Sequence, residues 1–183
     1  ILIFLIKEKK DFYSFFNKKL FYYFIIILLF IPIYLTQKYH EDFGFYHLPY
    51  AIGLIEEKII FGFSNINLTY VYNSIWLNIY SIFFLQDKNF DFLTLPSFIL
   101  YISFILFSFN QIVSKRTLIS SDYYLLVTLF YFLLKFTRIS EFGVDLPAVI
   151  FSILGIYYFF KFSETEVVNE RKNYFFLIII FSI

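Results

Sequence analysis

The chain contains no cysteine and no methionine, one tryptophan, five glycines and four prolines, and only 16% of its 183 residues are charged. Each shortage removes a class of protein. Without cysteine there are no disulfides and no thiolate metal ligands, and the redox compartment stays open. No Gly-rich phosphate loop, nucleophile-elbow serine or HExxH occurs, so neither nucleotide hydrolysis nor zinc proteolysis is written in this stretch. Fifteen Lys and Arg against fourteen Asp and Glu leave a net charge of +1. No cationic run is long enough to track a polynucleotide backbone, so no nucleic-acid partner is expected. There is no linker rich in Pro, Gly or Ser and no internal repeat, which leaves a single domain over 1–183.

What is present is apolar: 60% of residues are hydrophobic, 26% are aromatic, and the mean hydropathy is +0.73. Soluble domains run at about 45–50% apolar and about 25% charged. The charges gather in clusters between long uncharged runs, a pattern that suits lipid as the solvent. The expected fold class is therefore all-α: a polytopic transmembrane helix bundle with interfacial helices in a long outer loop. Its abundant Phe is read as lipid-facing and interhelical packing.

The expected spans are 20–36, 92–113, 123–138 and 146–160, with partial spans at 1–6 and 174–183. A crossing takes roughly 20 helical residues, so the two terminal runs are too short, and the chain is expected to be a fragment of a longer protein. Pro32 is a candidate kink in the first full span. Orientation follows from the cations, because Lys and Arg favour cytoplasmic loops. The segment Lys7 to Lys19 holds Lys7, Lys9, Lys10, Lys18 and Lys19, and is placed inside. If 37–91 is an outer loop, Lys115, Arg116, Lys161, Arg171 and Lys172 also fall inside. Residues 59–86 then lie outside as interfacial helices, with Asn65, Asn67, Asn73, Ser74, Asn78 and Ser81 scattered among aromatics. In the competing topology 59–86 crosses and every later loop changes side.

Two polar clusters share the outer face in the first topology. One is His40, Glu41, Asp42 and His47; the other is Arg138, Glu141 and Asp145, in a tight connection between spans. Charges held beside apolar spans tend to face a bundle interior or a wet cavity. Glu41 and Asp42 are the right groups to take a proton from an acceptor hydroxyl. Glu141 and Asp145 offer oxygen ligands for an acceptor, a sugar hydroxyl or a divalent cation. Arg138 presents a planar fork of donors suited to a phosphate, and Lys135 adds charge nearby. His40 and His47 lack a defined metal-ligand spacing, so the metal requirement stays open. The competing structural readings are solvated loop carboxylates, an Arg138–Glu141 pair, a snorkelling Lys135, and an inner solvated loop at Glu164, Glu166 and Glu170.

The runs His40-Glu41-Asp42-Phe43-Gly44-Phe45-Tyr46-His47-Leu48-Pro49, Asn73-Ser74-Ile75-Trp76 and Arg138-Ile139-Ser140-Glu141-Phe142-Gly143-Val144-Asp145-Leu146-Pro147 resemble a group of bacterial multi-pass membrane proteins. That group is similar to the GT-C class of glycosyltransferases, which includes protein O-mannosyltransferases and aminoarabinose transferases. The resemblance implies an essential acidic residue in the first outer loop, matched by Asp42 with Glu41 beside it, and further acidic residues in a later outer loop, matched by Glu141 and Asp145. It also implies a polyprenyl-phosphate-linked sugar as donor and a glycan, lipid or protein as acceptor. Arg138 would stabilise the departing lipid phosphate, and His47 would join the substrate contacts. The expected location is the bacterial inner membrane, with the site on the outer face; no cofactor is required, though a divalent cation is compatible. Two rival readings are a transporter or flippase of envelope glycan precursors, with Arg138, Glu141 and Asp145 lining a path, and a noncatalytic membrane scaffold.

Overall fold

Leu-Pro pairs open three of the helices. Leu48-Pro49, Leu95-Pro96 and Leu146-Pro147 each sit in a first turn, where the N–H that proline lacks has no intrahelical partner and its fixed φ favours the helix. The computed structural model describes residues 20–36, 43–56, 65, 74–84, 92–140 and 142–182, and all regular structure among them is helical. Helix α1 spans Leu20–Leu35 and runs across Pro32. A π-helical turn, Phe43–His47, leads straight into α2 (Leu48–Glu56), and α3 covers Ile75–Phe84. Then come α4 (Leu95–Val113), α5 (Ser120–Leu134), a 3-10 turn (Phe136–Ser140), α6 (Asp145–Glu164) and α7 (Val168–Ser182).

Aromatic contacts fix the directions of these helices. Tyr23 lies near Asn110, with the hydroxyl donating to Oδ1 at 3.4 Å, while Phe30 meets Tyr101 and Tyr34 meets Phe98, so α1 is antiparallel to α4. Helix α5 returns beside α4, with Phe132 on Phe104 and the Tyr101 hydroxyl donating to the Phe132 carbonyl at 2.5 Å. That carbonyl belongs to the last turn of α5, where it also accepts from the Lys135 amide at 3.1 Å. Helix α6 runs parallel to α4, since Ser97 and Gly143 near their starts both bond Tyr80 and Phe107 meets Tyr157 farther along, and α7 folds back on α6 through residues 165–167. Gly155 faces α7: a Cβ there would lie 3.7 Å from the Phe181 Cβ, an ordinary contact distance.

Two apolar clusters result. The larger lies among α1, α4, α5, α6 and Ile139 of the 3-10 turn, with Tyr101, Leu125, Ile139 and Ile150 fully buried. The smaller joins Tyr50 and Ala51 of α2, Leu77 and Tyr80 of α3, Leu93 and Phe142. It sits at the end of the bundle where α4 and α6 begin.

The helices α4 and α6 are long and apolar enough to cross a membrane, each with mean hydropathy 1.6; α1 and α5 are apolar but shorter. Only 39% of the apolar window of α4 and 33% of that of α6 is buried within the protein. Helix α7 buries no residue at all.

Several boundaries differ from the sequence expectation. Helix α7 begins at Val168 instead of 174, so that Glu170, Arg171 and Lys172, expected in a polar loop, are helical. Helix α6 continues past residue 160 to Glu164, so Lys161 and Glu164, expected in a polar loop, are helical and Lys161 is buried. Helix α5 begins at Ser120 and takes in Asp122, another buried charge. The common cause for these two buried charges is their mutual pairing, which removes the need for water. Of residues 59–86, the described helix α3 has ten residues and is about 15 Å long. It packs beside α2 and the first turn of α4.

Candidate functional site

The connection between α5 and α6 is gathered onto the smaller apolar cluster by ring packing. Phe142 is buried and meets Phe43 edge-on at 5.2 Å, His47 at 5.9 Å and Tyr80 at 4.3 Å between ring centroids. The π-helical turn after α1 and the connection before α6 therefore touch, although about a hundred residues separate them. The imidazole of His47 is buried beside Gly143, where a Cβ would lie 3.5 Å from its Cε1.

Tyr80 ties this connection to α3 and α4. Its hydroxyl donates to the Gly143 carbonyl at 3.0 Å and also bonds the Ser97 hydroxyl in the first turn of α4. A phenol carries one proton, so in that arrangement the Ser97 hydroxyl donates to Tyr80. Burial pushes the Tyr80 phenol up, against the opposing pull of those bonds, and keeps it a neutral donor.

Among the predicted site residues, His47, Arg138 and Asp145 belong to this end of the bundle. His47 is buried, Arg138 is half-buried in the 3-10 turn, and Asp145 is exposed as the first residue of α6. At a helix start a carboxylate is favoured by the aligned peptide dipoles, so Asp145 has a structural role whatever else it does. Glu41, Asp42 and Glu141, together with His40, lie outside the described residues. Among the described residues no three His, Asp or Glu side chains gather as a metal site.

The opposite end holds a constellation that sequence reasoning missed. Asp122 is fully buried and pairs with Lys115 from the α4–α5 turn, while the Lys161 ammonium on α6 lies 3.4 Å from the same oxygen. Its second oxygen accepts from the Ile119 amide at 3.1 Å, closing the first turn of α5. Beside it, the Glu164 carboxylate accepts from the Ser121 amide at 2.8 Å and the Ser121 hydroxyl at 2.6 Å. The last turn of α6 thus supplies the cap that the first turn of α5 needs. Burial by itself would depress Lys115, but the bonded Asp122 carboxylate outweighs it, and its pKa ends above the ordinary lysine value. The signal for this cluster was present: Asp122 is the only charge between Arg116 and Lys135.

A family model described as a domain of unknown function, DUF8201, matches residues 1–183. The chain belongs to the DUF8201 family. No curated protein and no solved structure matches it.

Proposed function

We propose that the chain acts as a membrane-embedded glycosyltransferase, moving a sugar from a polyprenyl-phosphate donor to an envelope glycan, lipid or protein. Membrane residence is supported by the low burial of α4 and α6 and by exposed large side chains such as Leu29 on α1, Val127 on α5 and Phe176 on α7. Water would penalise these apolar faces and a bilayer would not. In this reading α1, α4, α5, α6 and α7 belong to a multi-pass bundle of the bacterial inner membrane. The end bearing Lys115, Arg116 and Lys161 is cytoplasmic, and the end bearing His47, Arg138 and Asp145 is extracytoplasmic.

The observation that carries the reaction is the ring contact of Phe43 with Phe142. Asp42 directly precedes the first of these in the chain and Glu141 directly precedes the second. On this proposal Asp42, with Glu41 beside it, takes the acceptor proton as the hydroxyl attacks the anomeric carbon. Arg138 neutralises the departing lipid phosphate, while Glu141, Asp145 and His47 hold sugar and acceptor. A divalent cation between Glu141 and Asp145 is compatible with this chemistry and not required by it. The test is Asp42→Asn in the membrane-inserted protein: transfer from a polyprenyl-phosphate sugar should disappear while insertion and thermal stability stay unchanged. Undiminished glycan product would refute the assigned role.

The Lys115–Asp122–Lys161 cluster, in which Asp122 and Lys161 are buried on apolar helices, favours a second reading, a transporter or flippase, because ionisable groups held inside apolar helices often mark a path. Movement of a lipid-linked sugar across reconstituted vesicles without formation of a glycosidic bond would select it.

A further inference from the structure

Between α1, α4 and α5 lies a cavity of about 420 Å³, open along one side and lined entirely by apolar side chains. Phe30, Ile105 and Leu129 form its buried floor, and Leu29, Leu133 and Phe136 are exposed at its rim. It belongs neither to the ring-packed connection nor to the ion cluster. Phe136 is the first residue of the 3-10 turn, directly after the exposed Lys135 and two residues before Arg138. The Arg138 amide donates to the Lys135 carbonyl at 3.0 Å, so one backbone turn carries both cations and one wall of the groove.

We infer that this groove seats the hydrocarbon tail of a single-chain lipid phosphate whose head group is met by Lys135 and Arg138. Three features select that occupant. The lining side chains offer no polar group, so the groove suits a chain and not a head group. The volume matches one chain of roughly a dozen carbons, at about 30 Å³ per carbon, close to a water's share of the liquid, and is too small to enclose two full acyl chains. The adjoining cations suit a phosphate, which arginine binds through paired N–H donors and lysine as a point charge. The inference rests on the donor class of the proposed transferase and adds where the donor's tail lies: along α4 and α5, with its phosphate at the end of α5.

The experiment uses the chain in lipid nanodiscs with farnesyl phosphate as the probe, followed by native mass spectrometry, with farnesol and phosphatidylglycerol as competitors. Saturable binding is expected. Leu129→Trp, which fills the floor, should weaken it at least about tenfold, whereas Val127→Trp, on the exposed face of α5, should leave it unchanged. Lys135→Gln, at an exposed position, should weaken farnesyl phosphate by about threefold or more without affecting farnesol. Equal competition by phosphatidylglycerol or farnesol, or binding indifferent to both Leu129→Trp and Lys135→Gln, would overturn the inference. Neither result bears on transfer by Asp42. Groove-dependent binding in a protein that transfers no sugar would uphold the tail site and sink the transferase.

Discussion

The two ends of the bundle hold polar groups by opposite means. At one end, Lys115, Asp122, Lys161 and Glu164 are charged, and each pairs with another helix or the turn beside it. At the other, His47 and Tyr80 pack against the Phe142 ring, and Tyr80, Ser97 and the Gly143 carbonyl are joined by hydrogen bonds of neutral groups. The ion-paired end fastens α4, α5 and α6 together at high cost to any change, since removal of one partner strands a buried charge. The ring-packed end loses less when altered, because a neutral hydrogen bond contributes only about 0.5–1.5 kcal/mol net. On the proposed function, the connection that would admit a substrate is the one built on the second kind of chemistry.

That contrast can be broken by substitution. Asp122→Asn should have the largest effect, destabilising by about 3–5 kcal/mol, because it leaves Lys161 buried without a counter-ion; thermal unfolding in nanodiscs measures it. Replacing Lys161 with Met and Asp122 with Leu together should restore much of the loss, and failure to do so would show that the pair does more than hold helices. Tyr80→Phe removes both bonds at the other end and should cost about 1–3 kcal/mol, since Ser97 and Gly143 lose a buried partner. It should also raise protease access to the α5–α6 connection without loosening α6.

Glu164→Ala should cost about 1 kcal/mol, the worth of a helix cap. Lys115 sharpens the comparison through pH. Its pKa is raised in the folded protein, so its contribution is fully present below the unfolded lysine value and is lost as pH rises through the folded one. The stability gap between the wild type and Lys115→Met should therefore be constant at neutral pH and close only above the ordinary lysine range, as urea titration across pH would record. Smallest of all, Gly143→Ala should shift stability by under about 0.5 kcal/mol, because the added methyl meets His47 at an ordinary contact distance.

Much of the helical order was legible in the chain. Uncharged runs locate α1, α4, α5 and α6 within a few residues, because an apolar helix is a local matter. Lys161 and Glu164 were misplaced for the opposite reason: a charge at the end of an apolar run looks like a loop until its partner on another helix is known. Tyr80 and Ser97 gave no sequence signal, since any of the 17 tyrosines or the many serines could have been the pair.

The amino-acid sequence by itself determined that this chain is helical and strongly apolar, and that its charges fall into a few clusters, because composition and periodicity act residue by residue. Only the tertiary structure decided that Asp122 is shared by two lysines, that Phe43 meets Phe142, and that α1, α4 and α5 leave a groove between them. Those outcomes depend on which helix faces touch, and contacts between residues far apart in the chain are set by packing that no local pattern encodes.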